Sequence, residues 1–393
     1  MTERIVLLGG AGAMGRITVR DFARTAPRSC ELVVADREIA AARRLGVEAV
    51  RTDVTDPQSL DRALRGATVV IASLPYRFNL PAMQGALRAQ AHYVDLGGLY
   101  HTTKKQLKLH AAYRAAGRTA ILGMGSAPGI INLLCVHAAE GLERVDEVHC
   151  MVGNVDRTKY KSVPPLGFGY SPDTLLDEFA MPSAVFRDGR AGFVPALDPS
   201  EAVEEIFPAP IGRVSLQTTL HSEVATLPRH FASRGVRTMT FRQSFEPAFV
   251  DKVRLLVDLG MTDTGPLNGD GIVPRTVLQS LLRRLPPAVP AGRENRYEVL
   301  RAVVRGKLDG RLVTVKADCH AGPRAGWGIG PDIDTGAPPS IVAQMLATGE
   351  IESVPGVYAP EDVVPLAPFF RHLTRRGMRI TRRRSVTRRH SAP

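Results

Sequence analysis

The chain has 393 residues, enough for two domains, because a single hydrophobic core stops growing at roughly 250 to 300 residues. The longest apolar runs, such as residues 67–74, are too short to span a bilayer, and no cationic, apolar leader is evident, so we expect a cytoplasmic protein without a membrane partner. The formal net charge of +12 suggests nucleic-acid binding, but nine arginines and no acid lie between residues 371 and 390 and the rest is close to neutral, so nucleic acid is not an expected partner.

The most informative motif begins at the first strand. Apolar residues 5–8 lead into Gly10-x-Gly12-x-x-Gly15 and then into a helical pattern that starts at Ala13 and Met14. Gly10 permits the tight turn, Gly12 lets the backbone approach a pyrophosphate, and Gly15 lets the helix pack against the strand. The pattern predicts a dinucleotide cofactor.

The second predicted strand, residues 31–36, favours NAD as that cofactor. It ends at Asp36, about 20 residues beyond the last glycine, where a carboxylate accepts hydrogen bonds from the adenosine ribose. This carboxylate opposes a 2′-phosphate. Arg37 follows directly and is able to stack on adenine or neutralise a phosphate, so NADP stays open.

Strands and helices continue to alternate as far as residue 123. Predicted strands cover residues 47–50, 67–74, 92–96 and 119–123, and predicted helices cover residues 38–45, 57–65, 79 onward and 104–116. Six strands with intervening helices predict an α/β fold with a Rossmann doubly wound parallel sheet.

Ligands of such sheets bind at the carboxyl ends of the strands. Ser73, Leu74 and Pro75 follow the fourth strand, and we expect them to contact the cofactor. Asp95 ends the fifth strand, next to the expected nicotinamide position. It is either a catalytic proton donor or acceptor, or a cap for a helix beginning near Thr102.

Beyond residue 138, segments with a period of two predict an α+β second domain. Predicted strands cover residues 145–152, 214–224 and 237–244, a hairpin covers residues 297–319 with its turn at Asp309-Gly310, and helices cover residues 248–259, 274–285 and 340–347. The four cysteines lack CxxC spacing and clustered histidines, so neither a disulfide framework nor a metal site is expected.

Polar residues on these strands are the candidates for substrate chemistry. Alternation along residues 214–224 puts His221 and Glu223 on one face, either as a proton acceptor with its orienting carboxylate or as part of a solvated sheet face. Arg242 lies on the polar side of the next strand and suits a substrate carboxylate. Tyr170 and Ser171 belong to a loop that either closes over the substrate or simply packs.

The arginine-rich end predicts a disordered, solvated tail from residue 375, with a phosphate-backbone contact or an acidic partner as the alternative.

Several motifs together resemble the saccharopine dehydrogenase family, which includes saccharopine reductases, lysine 6-dehydrogenases and carboxyspermidine dehydrogenases. The likeness covers about residues 3–373. The motifs are Gly9-Gly-Ala-Gly-Ala-Met-Gly15, Val34-Ala-Asp-Arg37, Tyr93-Val-Asp-Leu96, Gly125-Ser-Ala-Pro-Gly-Ile130 with Asn132, Leu220-His-Ser-Glu-Val-Ala-Thr-Leu-Pro228, Leu259-Gly-Met-Thr-Asp-Thr264 and Thr335-Gly-Ala-Pro-Pro-Ser-Ile-Val-Ala-Gln-Met345. The segment 326–332 and the arginine-rich end match no pattern of the family.

The resemblance implies a Rossmann domain (residues 1–137), an inserted α+β mixed-sheet domain for substrate binding and dimerisation (138–334), helices that return to the first domain (335–374) and the tail (375–393). It implies a homodimer and hydride transfer between NAD(P) and a C–N bond of an amino-acid-like substrate, with Asp95 or His221 managing the proton. Oxidative deamination of a primary amine, as in lysine 6-dehydrogenases, is the alternative reaction. A dinucleotide-binding sensor or scaffold without turnover is the alternative class.

Overall fold

A computed structural model describes residues 2–267, 269, 271–323, 330 and 332–386. Its strands are β1 Glu3–Leu8, β2 Cys30–Asp36, β3 Glu48–Arg51, β4 Val69–Ala72, β5 His92–Asp95, β6 Thr119–Ile121, β7 Arg144–Asp156, β8 Tyr160–Ser162, β9 Ser183–Arg187, β10 Arg190–Val194, β11 Val203–Ile206, β12 Arg213–Thr218, β13 Thr238–Ser244, β14 Val289–Pro290, β15 Arg296–Leu308, β16 Arg311–Ala321, β17 Gly356–Tyr358 and β18 Arg379–Val386.

The α-helices are α1 Ala13–Thr25, α2 Ile39–Arg43, α3 Pro57–Ala63, α4 Asn79–Arg88, α5 Leu99–Leu107, α6 His110–Ala115, α7 Ile130–Ala139, α8 Pro172–Ala180, α9 Glu223–His230, α10 Pro247–Asp258, α11 Pro274–Leu282, α12 Ile333–Ala347, α13 Pro360–Val363 and α14 Leu366–Arg375.

The first sheet is parallel, with the order β17-β6-β5-β4-β1-β2-β3. Helices cover both faces, so alternate residues of β1 enter different cores: Ile5 and Leu7 on one side, Val6 and Leu8 on the other. The six predicted strands and the Rossmann architecture are confirmed. The sequence pattern missed β17, which the chain adds from its C-terminal part beside β6.

The second sheet is mixed and has the main order β10-β9-β13-β7-β15-β16-β18, with β12 also pairing with β13. Its β7–β13 pair is parallel, and the long β15–β16 hairpin is antiparallel. The hairpin turns at Asp309 and Gly310, as predicted, and both residues have positive φ angles, of 49° and 71°. An α+β second domain is therefore confirmed.

The chain returns to the first domain through α12, which packs on α1. The hydroxyl of Thr18 donates to the carbonyl oxygen of Gly336 at 2.8 Å. A Cβ at Gly336 would lie 2.5 Å from Ile17, so the close approach of the two helices requires glycine. α12 begins at Ile333 and contains Pro338 and Pro339, although the sequence pattern predicted its start at residue 340.

The predicted strand over residues 214–224 is wrong beyond Thr218. β12 ends there, and α9 begins at Glu223. Val224, Leu227 and Phe231 are all buried at helical spacing. Residues 218–224 are buried throughout, so inward and outward positions do not alternate there as the prediction assumed.

The predicted disordered tail is wrong over Arg379–Val386. These residues form β18, an edge strand antiparallel to β16. Met378, just before the strand, is 2 % exposed, and Arg382 donates to the carbonyl oxygen of Glu140 at 2.8 Å. A charged edge strand is compatible with a backbone ladder because its side chains reach solvent. Residues 387–393 of the predicted tail, and most of the segment 326–332, lie outside the described residues.

No helix in the described part of the chain has the length and apolar character that crossing a membrane requires.

Candidate active site

The glycine loop after β1 has the shape that a pyrophosphate requires. A Cβ at Gly10 would lie 2.6 Å from Val34, and one at Gly15 would lie 2.3 Å from the carbonyl oxygen of Gly9, so packing itself demands these two glycines. Gly12 is less crowded, with its nearest atom at 3.3 Å. Gly12 also precedes α1 without a side-chain cap, which leaves the first amide groups of the helix for an anion.

Asp36 lies beside this loop at the end of β2. Its carboxylate accepts hydrogen bonds from the backbone amides of Ala11 and Glu38, both at 2.8 Å, which fixes its orientation. The side chain of Arg37 is 76 % exposed, and its nearest acid is Glu38 at 3.9 Å. These residues fit the adenosine end of a dinucleotide, with Asp36 held in place and Arg37 extended.

The loop Ser73–Pro75 lies against the glycine loop. A Cβ at Gly9 would lie 2.4 Å from the carbonyl oxygen of Ser73, so the two loops are in contact. The short 3-10 helix that follows, Tyr76–Phe78, reaches the second domain: the Tyr76 hydroxyl donates to Asp177 of α8 at 2.8 Å. The loop therefore links the expected cofactor position to α8.

Asp95 lies where the sequence predicted, at the carboxyl end of β5, but it is fully buried. It accepts hydrogen bonds from the amides of Gly97 (2.9 Å) and Gly123 (2.7 Å) and from the side chain of Gln106 (2.6 Å). Burial raises the pKa of Asp95, while these three donors oppose that shift. The contacts make Asp95 a positioning residue for the loops after β5 and β6 and leave it no access to a substrate; it does not cap a helix, since α5 follows Gly98.

His221 lies between two carboxylates at the start of α9. Its Nδ1 is 3.0 Å from Glu223 Oε2, and its Nε2 is 3.6 Å from Glu178 Oε1. The imidazole stacks on Phe241 with 3.6 Å between ring centroids. Burial alone would lower the pKa of His221, but the charges of Glu223 and Glu178 outweigh it and raise the pKa to about 10. His221 is therefore an imidazolium at neutral pH, whereas the sequence suggested a proton acceptor.

His221 and Glu223 are neighbours, as predicted, although they share a loop and a helix turn instead of a strand face. The sequence reasoning missed Glu178, because this residue lies 43 positions before His221. Glu178 Oε2 also accepts hydrogen bonds from the Tyr170 hydroxyl (2.6 Å) and from Gln243 Nε2 (2.8 Å). A signal was present: Glu178 lies on the apolar face of α8, directly before the buried Phe179. These residues form what we name the His221 cluster: Tyr170, Glu178, His221, Glu223 and Gln243.

The segment that carries His221 also reaches the loop after β6. Ser222 and Thr226 of the same segment line a small cavity together with Gly123 and Pro128, from the loop after β6. The loop after β6 therefore lies next to the start of α9.

The predicted substrate anchor Arg242 lies elsewhere. Phe241 contacts His221, and successive strand residues point to opposite faces, so Arg242 lies on the far side of β13. There its Nη2 is 3.5 Å from Glu201, and its Nη1 donates to Thr240 at 2.6 Å. The alternation of residues predicted β13 correctly. It placed His221 on the Arg242 side of this strand, whereas His221 lies on the Phe241 side.

Tyr170 joins the His221 cluster, whereas Ser171 does not. The Ser171 hydroxyl accepts from the amide of Thr174 at 3.4 Å and caps α8. Nearby Phe168 packs edge-on against Phe249 with 6.0 Å between centroids. The loop therefore packs and holds α8, which in turn carries Glu178.

A glycine loop before a helix, a carboxylate beside that loop and a second domain with a mixed sheet are typical of the class of NAD(P)-binding oxidoreductases. The model of the saccharopine dehydrogenase NADP binding domain matches residues 5–121, and that of the saccharopine dehydrogenase C-terminal domain matches residues 125–378. The chain belongs to the saccharopine dehydrogenase family.

The relatives that the chain matches are distant from it in sequence. The chain is 24 % identical to carboxynorspermidine synthase of Vibrio cholerae serotype O1, covering 92 % of both chains. It is 27 % identical to the NADP(+), L-glutamate-forming saccharopine dehydrogenase of Saccharomyces cerevisiae over 65 % of this chain and 58 % of the relative. The apo structure of saccharopine dehydrogenase (L-Glu forming) from Saccharomyces cerevisiae superposes with a TM-score of 0.73 at 19 % identity, over 98 % of this chain and all of that one, which supports the fold.

Proposed function

We propose that this protein transfers hydride between NAD(P) and a C–N bond of an amino-acid-like substrate, interconverting an imine and an amine. The observation that carries the proposal is the buried His221 imidazole between Glu223 and Glu178, next in the chain to Ser222, which lines a small cavity with the loop after β6. The names of the two relatives, a saccharopine dehydrogenase and a carboxynorspermidine synthase, are consistent with chemistry at nitrogen.

The cofactor and the protein residues have separate roles in this reaction. The cofactor supplies or accepts the hydride when it is bound. An imine must be protonated to accept hydride, so the site needs a proton donor next to the substrate nitrogen. His221 Nδ1 is held firmly by Glu223 at 3.0 Å, whereas Nε2 has only the looser Glu178 contact at 3.6 Å. In this proposal the Nε2 proton of His221 passes to the substrate nitrogen. Glu178 lies beside Nε2 during this transfer.

The test follows absorbance at 340 nm for NADH and for NADPH, with a panel of oxo acids and aldehydes combined with amines. We expect consumption with at least one pair, and His221→Gln and Glu178→Gln should lower kcat by about 100-fold, the lower range for one proton-transfer group. His137→Gln is the matched control, because His137 pairs with Glu140 on the outside of α7.

Two outcomes would count against the proposal. Tight dinucleotide binding without turnover of any pair favours a sensor or scaffold. Formation of NADH with release of ammonia from a primary amine, without any reaction of amine and carbonyl pairs, favours oxidative deamination.

A further inference from the structure

We infer that one ordered water molecule binds in the small cavity beside α9 and joins the hydroxyl of Thr103, on α5, to that of Ser222, at the start of α9. Thr103 belongs to the first domain and Ser222 to the second, so the water is a polar link between the domains. This link goes beyond the proposed reaction and does not depend on it.

The cavity lies where three parts of the chain meet. Thr103 lines it from α5, Asn132 from α7, Ser222 and Thr226 from the α9 segment, and Pro360 from the C-terminal return. The centre of a water molecule has about 10 Å³ of space there, which is enough for one molecule and too little for an organic ligand. In so small a space, a single water contacts the polar groups on every wall.

Ser222 occupies the N-cap position of α9 but does not cap the helix. An N-cap serine usually has an extended backbone and accepts a hydrogen bond from an amide of the first turn. Ser222 instead has φ −84° and ψ −17°, and its side chain makes no capping hydrogen bond. The residue is 3 % exposed, and its hydroxyl has no partner among the described residues. A buried hydroxyl that lines a cavity and leaves its usual partner indicates that a ligand in the cavity binds it.

Thr103 presents a second buried hydroxyl to the same cavity. A threonine inside a helix often donates to the carbonyl oxygen four residues earlier, as Thr18 does to Met14 at 3.2 Å. Thr103 is also 3 % exposed, but its hydroxyl has no such partner among the described residues. The residues that line the cavity and their chain neighbours are all described, so the two hydroxyls are compared with their complete surroundings.

One water satisfies both hydroxyls, because buried waters make two to four hydrogen bonds. Thr226 offers a third partner: its hydroxyl lines the cavity, and its contact with the carbonyl oxygen of Glu223 is long, at 3.5 Å. α5 already packs against α9, and the water adds directional bonds to that contact. The bridge therefore fixes the first residue before α9, directly after His221.

The direct test is a high-resolution crystal structure of the wild-type protein. We expect a water peak within about 3 Å of both the Thr103 and the Ser222 hydroxyl oxygens. The peak should be lost in crystals of Thr103→Val, which keeps the shape of the side chain and removes its hydroxyl.

The second test is a double-mutant cycle on the melting temperature. Thr103→Val and Ser222→Ala should each lower Tm by about 2–4 °C, because each leaves the other hydroxyl buried without its water. The double variant should melt close to the single variants, since the second substitution removes a group that has already lost its partner.

The matched control pairs Thr103→Val with Ser171→Ala, the N-cap serine of α8, which does accept the amide of Thr174. These two losses should add, because Ser171 is bonded within its own helix. A wild-type cavity without a peak, a Ser222 hydroxyl turned onto the first turn of α9, or additive losses for Thr103 and Ser222 would overturn the inference. None of these measurements involves turnover, so a failure of the proposed reaction leaves their result unchanged.

Discussion

His221 is charged because both of its ring nitrogens face carboxylates, and this has a consequence for stability. A group whose pKa is raised on folding stabilises the protein fully below its unfolded pKa, near 6.5, and that stabilisation is lost as pH rises through the folded value of about 10. We expect His221→Gln to be less stable than wild type at pH 7 and the difference in Tm to shrink steadily toward pH 10. Thermal melts across this range measure it; a constant difference would show that His221 is not charged in the fold.

We expect Asp36 to determine the preference between the two dinucleotides. Its carboxylate is fixed by two backbone amides, so it cannot turn away from a 2′-phosphate, and we expect NADH to bind at least about tenfold more tightly than NADPH. Asp36→Ala should lower the ratio of the NADPH dissociation constant to the NADH dissociation constant. Asp61→Ala, which removes an exposed partner of Arg88, should leave it unchanged. Tighter NADPH binding by the wild type would make Arg37 the dominant group.

At the residue level, the sequence predicted positions correctly where the determinant is local: the glycine loop precedes α1, and Asp36 lies beside it. The glycines and Asp36 act through backbone geometry within one βαβ unit, so their spacing carries the information. Glu178 was missed because its partner His221 lies 43 positions along the chain. The sequence predicted the position of Asp95 correctly but not its burial. Its hydrogen-bond donors Gly97, Gly123 and Gln106 come from two loops and a helix, which local sequence does not bring together.

Among the elements, β18 shows why composition is a poor guide to order. Its arginines suggested a solvated tail, yet its backbone pairs with eight residues of β16. Truncation after Gly377 removes this strand and exposes the edge of β16, so the free energy of unfolding should fall by more than about 2 kcal/mol, given the value of individual hydrogen bonds. Urea denaturation measures the change.

The matched control for this truncation ends after Val386 and retains the whole of β18. We expect it to unfold as the full chain does. If both truncations are as stable as the full chain, the strand contributes nothing and the disordered-tail prediction was correct in effect.

At the scale of the whole molecule, one buried ion pair holds the C-terminal segment, which returns to the first domain, against α1. Arg376, after α14, binds Asp21 of α1 at 2.5 and 2.8 Å, and the two side chains are 2 % and 0 % exposed. Arg376→Ala leaves a buried carboxylate without its cation and should destabilise the protein by about 3–5 kcal/mol. Arg371→Ala removes an exposed arginine 3.9 Å from Glu350 and should cost less than about 1 kcal/mol. Equal effects of the two substitutions would mean that the return is held by apolar packing alone.

The second domain could be predicted from sequence because the hydrophobic period changes beyond residue 138, shortly before β7, the first strand of the mixed sheet. The seventh parallel strand, β17, could not be predicted from sequence. Its three residues, Gly356–Tyr358, are too few to show a period, and they form a strand by pairing with β6.

The proposed function predicts that hydride is delivered to the carbon of a C–N bond. The direct measurement is mass spectrometry and NMR of the product formed with NADH or NADPH deuterated at C4, using the carbonyl and amine pair that supports turnover. We predict one deuterium on the carbon bonded to nitrogen, and a greatly reduced yield with His221→Gln. Deuterium on a carbon bonded to oxygen, or full transfer by the His221 variant, would contradict it.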